Sequence, residues 1–364
     1  MNSSIQENVA LAPLTTLEIG GPARYFIHAD SENTVLEALQ FAKSKGLPVF
    51  VLGGGSNLLV ADRGFPGVVV RIGIIGVEWE SSGDDEEVAV GAGEDWDDIV
   101  AQCVEQNLAG IECLSGIPGS VGGTPVQNVG AYGQEVSEVF VSLRAYDRQS
   151  DTFVELSHAH CGFAYRTSIF NTVAKDRYVV LSVRYSLLKD GPPSFSYPDV
   201  RHFFESRNAK PSLQKVREAV LRIRARKAML LMEGDPDCRS AGSFFKNPIV
   251  TESEFASIQA AIPDEPVPRY PATGGRIKTA AAWLIEQAGF AKGYTRGPAG
   301  LSTKHTLALV NRGGATAVDL LAVAREIRTR VFDKFGVKLI PEPVFLGFDR
   351  DVIDEFFQGV KNVC

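Results

Sequence analysis

The sequence lacks the patterns that would place it in several large classes of protein. Its five cysteines are odd in number, scattered and never arranged as Cys-x-x-Cys, which argues against a disulfide framework. No apolar run approaches the length of a membrane span, and the first residues do not form a signal peptide. The formal net charge of −7 lacks the basic excess of a general nucleic-acid binder. We therefore expect a cytoplasmic protein that binds neither membranes nor nucleic acid.

Histidine is also scarce, with five in 364 residues. His158, His160 and Cys161 lie close together in sequence, but no second set of ligands follows at the spacing of a metal site. The sequence therefore predicts no bound metal.

The residues that are present indicate mixed α and β structure. With 45% hydrophobic and 22% charged residues, the chain is long enough for two or three lobes with buried cores. Capping residues and apolar spacing predict a helix between Ser31 and Gly46, and another between Thr316 and Gly336. Further helices are predicted at 95–108, 213–230 and 281–288, and strands at 48–52, 68–70, 88–90, 139–144 and 178–183.

Two segments are predicted to lack regular structure. The acidic run at 84–87 is most simply a solvated loop, because like charges repel one another and favour water. The segment 189–210 carries three prolines and is predicted to be an irregular connector.

Two glycine-rich stretches, 53–57 and 115–123, are candidates for binding phosphate. Glycine lets backbone amides approach a phosphate closely, and two such loops in one domain suggest a dinucleotide. Neither stretch fits G-x-G-x-x-G or G-x-x-x-x-G-K-[ST], which argues against a Rossmann domain and a P-loop. On spacing alone, ordinary tight turns remain an equal alternative.

The residues around these glycines carry a family resemblance. Segment 52–60 is LGGGSNLLV, and segment 115–133 is SGIPGSVGGTPVQNVGAYG. Both strongly resemble the FAD-binding loops of the UDP-N-acetylenolpyruvoylglucosamine reductase family, and the resemblance covers nearly the whole chain from Thr15 onward.

The resemblance implies an α+β fold with two domains. The first, at 14–188, would be a two-lobed FAD-binding domain of the vanillyl-alcohol-oxidase (PCMH) type, with lobes at about 14–72 and 73–188. A connecting loop and helix would follow at 189–228, and a C-terminal α+β substrate-binding domain at 229–345.

The resemblance also implies how FAD is held. Backbone amides of the two loops would bind its pyrophosphate, and neither loop contains the histidine or cysteine through which some relatives attach FAD covalently, so we expect non-covalent binding. The implied FAD-binding residues are Gly53, Gly54, Gly55, Ser56, Asn57, Gly116, Pro118, Gly119, Ser120, Gly122, Gly123 and Tyr132.

Three further segments, 165–170, 241–248 and 341–343, resemble the reactive positions of the family. The resemblance implies that Arg166 and Glu342 hold and polarise a substrate carboxylate, and that Ser243 donates a proton to a carbon of the substrate. A guanidinium is always charged and binds a carboxylate bidentately. A serine hydroxyl is a weak acid, so it needs a very basic carbon as acceptor and a cation such as Lys246 nearby.

The implied activity is the reduction of UDP-N-acetylglucosamine enolpyruvate to UDP-N-acetylmuramate, with NADPH and FAD, in peptidoglycan precursor synthesis. Positions that match substrate-binding residues of the family are Tyr165, Tyr197, Lys227 and Asn247. Tyr197 would place the chain in the branch that closes a tyrosine-bearing loop over the substrate. The family commonly has arginine shortly after the glutamate, whereas this chain continues to Phe345.

Two alternatives stay open at this point. A flavin oxidase of the same superfamily would react with oxygen instead of the enolpyruvyl sugar. A non-catalytic flavin or nucleotide-sugar binding protein would have no use for Arg166, Ser243 and Glu342 together. The sequence does not indicate protein partners.

Overall fold

The structure is a computed structural model that describes residues 5–205 and 211–358. Contacts divide the chain into two compact units, each assembled from separate segments. Unit 1 comprises Met1–Val9, Ala23–Gly55 and Pro66–Arg226. Unit 2 comprises Ala10–Pro22, Ser56–Phe65 and Lys227–Cys364.

The described residues form runs of strands that are interrupted by α-helices. The strands are β1 (Gln6–Ala10), β2 (Pro22–Ala29), β3 (Val49–Leu52), β4 (Leu58–Val60), β5 (Phe65–Ile72), β6 (Val77–Ser82), β7 (Asp85–Gly91), β8 (Leu108–Ala109), β9 (Gly130–Ala131), β10 (Gln134–Glu135), β11 (Phe140–Asp147), β12 (Thr152–Ser157), β13 (Tyr178–Lys189), β14 (Ser240–Ser243), β15 (Ile249–Val250), β16 (Tyr270–Pro271), β17 (Ile277–Lys278), β18 (Thr295–Arg296), β19 (Ala299–Leu301), β20 (Ala308–Asn311) and β21 (Val344–Leu346). The helices are α1 (Glu32–Lys45), α2 (Trp96–Glu105), α3 (His158–Cys161), α4 (Pro198–Glu205), α5 (Leu213–Arg226), α6 (Glu252–Ala261), α7 (Ala281–Gln287), α8 (Ala317–Phe335) and α9 (Arg350–Gln358).

Helices α1 and α8 begin and end at the residues that the sequence indicates. The Ser31 hydroxyl accepts a hydrogen bond from the Thr34 amide at 3.2 Å, and Gly46 ends α1 in the left-handed conformation with φ 63°. Thr316 forms a capping box at the start of α8, and Gly336 ends it with φ 68°. Both predictions are confirmed.

Unit 1 contains two larger sheets. The first has the strand order β1-β2-β5-β3, and the second has the order β12-β11-β13-β7-β6 with β8 beside β13. Helices α1 and α2 contribute Val35 and Trp96 to the same buried core as Val68 of β5 and Val183 of β13. One buried core therefore joins both sheets and both helices.

The acidic run is a strand and not a loop, so this prediction was wrong for 85–87. These residues begin β7, which pairs antiparallel with β6 across a turn that contains Asp84. Glu86 forms an ion pair with Lys189 at 3.1 Å, and Glu87 forms one with Arg184 at 3.3 Å. Cations on the neighbouring β13 offset the like-charge repulsion that argued for a loop.

The segment 189–210 is also more regular than predicted. Helix α4 occupies Pro198–Glu205 and buries Val200, Phe203 and Phe204 against α5, while 206–210 lie outside the described residues. Apolar residues spaced three to four apart outweigh the prolines, because Pro198 stands at the first helical position, where proline is tolerated. Helix α5 ends at Arg226, four residues before the predicted end.

Unit 2 contains two antiparallel sheets, β14-β20-β19-β18 and β15-β17-β16, and the parallel pair β21-β4. Helix α8 is packed into its core through Leu320, Ala324, Ile327 and Val331. Within residues 5–205 and 211–358, no helix has both the length and the apolar content to cross a membrane.

The two units differ from the predicted domain boundaries. Helices α4 and α5, predicted as a connector, belong to unit 1, whereas Ala10–Pro22 and Ser56–Phe65 belong to unit 2. The boundaries at 188 and 229, which describe functional domains, stay a prediction.

Candidate functional site

The first glycine-rich loop follows β3 and lies directly against the second. A Cβ at Gly54 would stand 2.6 Å from the Cα of Gly119, and one at Gly53 would stand 2.5 Å from the Ser120 hydroxyl oxygen. Contacts this short leave no room for a side chain on the first loop. The two loops predicted to bind FAD are therefore in contact within unit 1.

Some backbone amides of both loops lack a hydrogen-bond acceptor among the described residues. The Gly119 carbonyl accepts from the Trp96 amide at 3.0 Å, and the Val121 amide donates to the Glu94 carbonyl at 2.9 Å. The amides of Gly54, Gly119 and Ser120 have no acceptor among the described residues. Clustered amides of this kind bind phosphate oxygens, so the loops fit the pyrophosphate of FAD.

A half-buried ion pair supports the second loop. Asp97, in the first turn of α2, accepts from the Gly116 amide at 2.5 Å. Arg217 of α5 binds both oxygens of Asp97, at 2.5 and 2.9 Å. Burial raises the pKa of Asp97, but the hydrogen bonds from Arg217 and Gly116 outweigh it and hold that pKa below its ordinary value.

Arg224, one further residue of α5, completes this support. Its Nε donates to the Gly116 carbonyl at 3.0 Å, so both backbone groups of Gly116 are held. Sequence reasoning missed these residues. The acidic first turn of α2 was visible, but its partner Arg217 lies 120 residues away, and no local pattern reports such a pairing.

Arg166 lies on a tight turn in unit 1 with an unusual backbone conformation. Its φ is 53°, which side-chain-bearing residues adopt rarely, and Ala164 and Thr167 exchange backbone hydrogen bonds across the turn. Its Nη2 donates to the Gly130 carbonyl at 2.6 Å, and its guanidinium lies 5.2 Å from the centre of the Tyr165 ring. Backbone strain of this kind is often found at functional positions.

Ser243 and Glu342 are brought together in unit 2 by backbone pairing. The Glu342 amide donates to the Phe244 carbonyl at 2.8 Å, and Phe245 forms an antiparallel bridge with Pro341. Asn57, at the end of the first glycine-rich loop, donates from its side chain to the Glu342 carbonyl at 3.3 Å. Ser243, Glu342 and Asn57 therefore lie on neighbouring segments of unit 2.

The residue before Ser243 leaves space beside it. Gly242 has φ 67°, and no described atom lies within 4 Å of the place that a Cβ would occupy. Ser243 itself is half-buried. This end of β14 can therefore be approached by a substrate.

Tyr132 and Tyr197, predicted to bind FAD and the substrate respectively, contact each other in unit 1. Their rings meet edge to face with centroids 5.4 Å apart. Tyr132 is buried, whereas Tyr197 is 40% exposed. The exposed ring is available for a further contact.

The remaining predicted substrate residues lie in unit 2. The Asn247 side-chain oxygen accepts from the Ala281 amide at 3.0 Å and so stabilises the start of α7. Lys227 follows the last residue of α5 and is half-buried. Their roles toward a substrate stay predictions.

The His160 and Cys161 side chains of α3 form local hydrogen bonds with Ser157. The Ser157 hydroxyl lies 2.9 Å from His160 Nδ1, and the Cys161 thiol donates to the Ser157 carbonyl. In the part of the chain that the structure describes, no three histidine, cysteine or acidic side chains are grouped as metal ligands.

Comparison with known families matches most of both units. Residues 23–157 match the family described as FAD binding domain, and residues 235–346 match the UDP-N-acetylenolpyruvoylglucosamine reductase C-terminal domain. The expected α+β fold with an FAD-binding domain is thereby confirmed.

Individual relatives match over nearly the full length. The UDP-N-acetylenolpyruvoylglucosamine reductase of Thermobifida fusca is 48% identical over 355 residues, which is 95% of this chain and 99% of the relative. That of Streptomyces coelicolor is also 48% identical, over 93% of this chain and 89% of the relative. The crystal structure of the reductase from Thermus caldophilus is 26% identical, with a TM-score of 0.64 over 94% of this chain and all of the other.

Proposed function

The chain belongs to the UDP-N-acetylenolpyruvoylglucosamine reductase family, and from this premise we propose that Arg166, Ser243 and Glu342 carry out its reaction. That reaction is the NADPH-dependent reduction of UDP-N-acetylglucosamine enolpyruvate to UDP-N-acetylmuramate through FAD. FAD, which the two glycine-rich loops would hold, would supply the hydride for one carbon of the enolpyruvyl double bond after its reduction by NADPH. The protein must stabilise the charge that results and supply a proton to the other carbon.

Arg166 and Glu342 are proposed to bind and polarise the substrate carboxylate. Negative charge builds up at this carboxylate as the double bond is reduced, and a fixed guanidinium stabilises such charge without reorganisation. The hydrogen bond from Arg166 to the Gly130 carbonyl supports this role, because it fixes the position of the guanidinium relative to the backbone.

Ser243 is proposed to donate the proton. The observation that carries this proposal is the backbone pairing of Phe244 with Glu342, which places the serine next to the glutamate in unit 2. The space beside Gly242 gives a reacting carbon access to the Ser243 hydroxyl. A weak acid suffices here because the carbon that it protonates is strongly basic.

The substitution Ser243→Ala tests this assignment by separating the two half-reactions. NADPH should still bleach the bound flavin at the wild-type rate, whereas reoxidation by the UDP-sugar should slow by about 10²-fold or more, as when a general acid is lost. Stopped-flow absorbance of the flavin measures both steps. Ser257→Ala, on the surface of α6, is the matched control and should change neither. If the flavin of Ser243→Ala were reoxidised by the UDP-sugar at the wild-type rate, Ser243 would not be the proton donor.

The same measurement separates the reductase from a flavin oxidase. In a reductase, the UDP-sugar should reoxidise the flavin far faster than oxygen does. An oxidase would show the reverse order.

A further inference from the structure

The backbone of Ser194 is held on both sides by buried side chains of unit 1. Its amide donates to Glu112 Oε1 at 2.9 Å, and its carbonyl accepts from Gln134 Nε2 at 3.1 Å. The Cys113 thiol lies 3.5 Å from the same carbonyl. Glu112 and Cys113 are fully buried, and Gln134 is 3% exposed. Ser194 lies three residues before Tyr197.

Glu112 and Gln134 are themselves fixed by the backbone. The second oxygen of Glu112 accepts from the Gly110 amide at 2.8 Å, and the Gln134 side-chain oxygen accepts from the Cys113 amide at 2.8 Å. A polar side chain that is held at both ends gives a neighbour a precise position. Loop backbone normally faces water, so polar groups buried to hold a loop residue call for a reason.

The hairpin formed by β9 and β10 also contacts the residues that follow Ser194. Its tip consists of Tyr132 and Gly133, with φ values of 51° and 96°, as in a two-residue turn with both residues at positive φ. A Cβ at Gly133 would stand 2.5 Å from the Ser196 hydroxyl oxygen. The Tyr132 ring meets the Tyr197 ring edge to face. Gln134 comes from the same hairpin.

The chain is fixed again beyond Tyr197. The Phe195 ring stacks on Phe204 of α4 with centroids 5.1 Å apart, and α4 buries Val200 and Phe203 against α5. Phe195 before Tyr197, and Val200 and Phe203 after it, are therefore packed, while Tyr197 itself is 40% exposed.

We propose that Gln134 and Glu112 are positioning residues that set the place of the Tyr197 ring for the UDP-sugar. The proposal rests on the proposed function and on the prediction, from the family resemblance, that Tyr197 contacts the substrate. It assigns a role in substrate affinity to two buried residues that are not among the predicted substrate-binding or FAD-binding residues. Because the reacting groups are Arg166, Ser243 and Glu342, the anchor should affect substrate binding and not the rate of the bound complex.

The substitution Gln134→Met tests this role, since methionine keeps the length of the side chain but loses both hydrogen bonds. The dissociation constant of the UDP-sugar for the reduced enzyme should rise by about three- to tenfold, the usual effect of one or two lost hydrogen bonds. The limiting rate of flavin reoxidation should stay within about twofold of wild type, because the reacting groups are untouched. Stopped-flow reoxidation over a range of substrate concentrations gives both values.

Two further variants keep the test decisive. Ser142→Ala removes the partly buried hydrogen bond from Ser142 of β11 to Glu155 of β12, and as the control for a general loss of stability it should leave the dissociation constant unchanged. Glu112→Gln leaves one of the two amides without its acceptor and should raise the dissociation constant in the same direction as Gln134→Met.

A double-mutant cycle with Tyr197→Ala distinguishes the possible failures. If the anchor acts through the ring, Gln134→Met should have no further effect on substrate affinity in the Tyr197→Ala background. If Tyr197→Ala alone does not weaken binding, the proposed substrate contact is wrong and the anchor role falls with it. If Tyr197→Ala weakens binding but Gln134→Met and Glu112→Gln do not, only the anchor role is overturned.

Discussion

At the scale of single residues, Gly54 links the packing of the loops to their chemistry. A side chain there would meet the Cα of Gly119 at 2.6 Å and the Ser120 amide nitrogen at 3.0 Å. The contact is with backbone, which cannot rotate away as a side chain can. Glycine at this position thus keeps the two loops together with their amides exposed to a phosphate.

The substitution Gly54→Ala should therefore separate the loops. We expect the dissociation constant of FAD to rise by at least about tenfold, because amides that share one phosphate must be placed together. Titration of the apoprotein with FAD, followed by flavin fluorescence, measures this change.

Gly123→Ala is the control for the cost of alanine in the second glycine-rich loop. No described atom lies within 4 Å of its Cβ position, and its φ lies outside the left-handed region. Its unfolding temperature should match wild type or exceed it slightly, since alanine restricts the unfolded chain. An unchanged FAD affinity in Gly54→Ala would contradict the account of loop packing.

The sequence was informative about these residues but not about their contacts. The motifs around 53–57 and 115–123 indicated FAD binding through the family resemblance. The contact between Gly54 and Gly119 joins residues far apart in sequence, and glycine spacing alone could not distinguish it from two ordinary turns.

At the scale of elements, helix α5 supports the flavin loop through Arg217 and Asp97. The ion pair is largely shielded from solvent, with 18% and 28% of the two side chains exposed. Without the negative charge of Asp97, the Gly116 amide and Arg217 would donate to a weaker acceptor. The pair therefore contributes to folding stability as well as to the placement of the loop.

The substitution Asp97→Asn should lower the free energy of unfolding at neutral pH by about 1.5–3 kcal/mol, the usual range for hydrogen bonds to a charged group. The folded pKa of Asp97 is depressed below its ordinary value of 3.8, so its stabilisation is fully present above that pH. It should be lost as the pH falls from 3.8 through the folded pKa. Urea unfolding of both proteins between pH 7 and pH 3 measures the difference.

Glu218→Gln is the control for this prediction, because Glu218 forms an exposed ion pair with Arg222 on the same helix. It should change stability by no more than about 0.5 kcal/mol. A difference between wild type and Asp97→Asn that stays constant from pH 7 to pH 3 would show that the ion pair is not its source.

The ends of helices α1 and α8 could be predicted because the residues that determine them lie next to those ends in sequence. Ser31, Gly46, Thr316 and Gly336 mark helix ends within a few residues of sequence, and all four were identified. The first three residues of β7 were predicted as a loop because the cations that compensate their charges lie on β13, about 100 residues later. Sequence patterns do not report which strand will be the neighbour.

At the scale of the whole molecule, early segments of the chain fold with the C-terminal unit. β4 pairs in parallel with β21, and Asp62 accepts hydrogen bonds from the amides of Ala317 and Val318 at the start of α8. The predicted boundaries take residues 14–188 as one continuous domain. Reading along the sequence cannot detect pairing over nearly 290 positions, such as that between Asn57 and Glu342.

The central claim is that the protein transfers reducing equivalents from NADPH to an enolpyruvyl UDP-sugar through bound FAD. The most direct test mixes the purified, FAD-loaded protein anaerobically with NADPH and then with UDP-N-acetylglucosamine enolpyruvate, while the flavin absorbance is followed. The account predicts bleaching by NADPH, return of the yellow colour on addition of the UDP-sugar, and one UDP-N-acetylmuramate formed for each NADPH consumed. A flavin that NADPH reduces but that the UDP-sugar leaves bleached would contradict it.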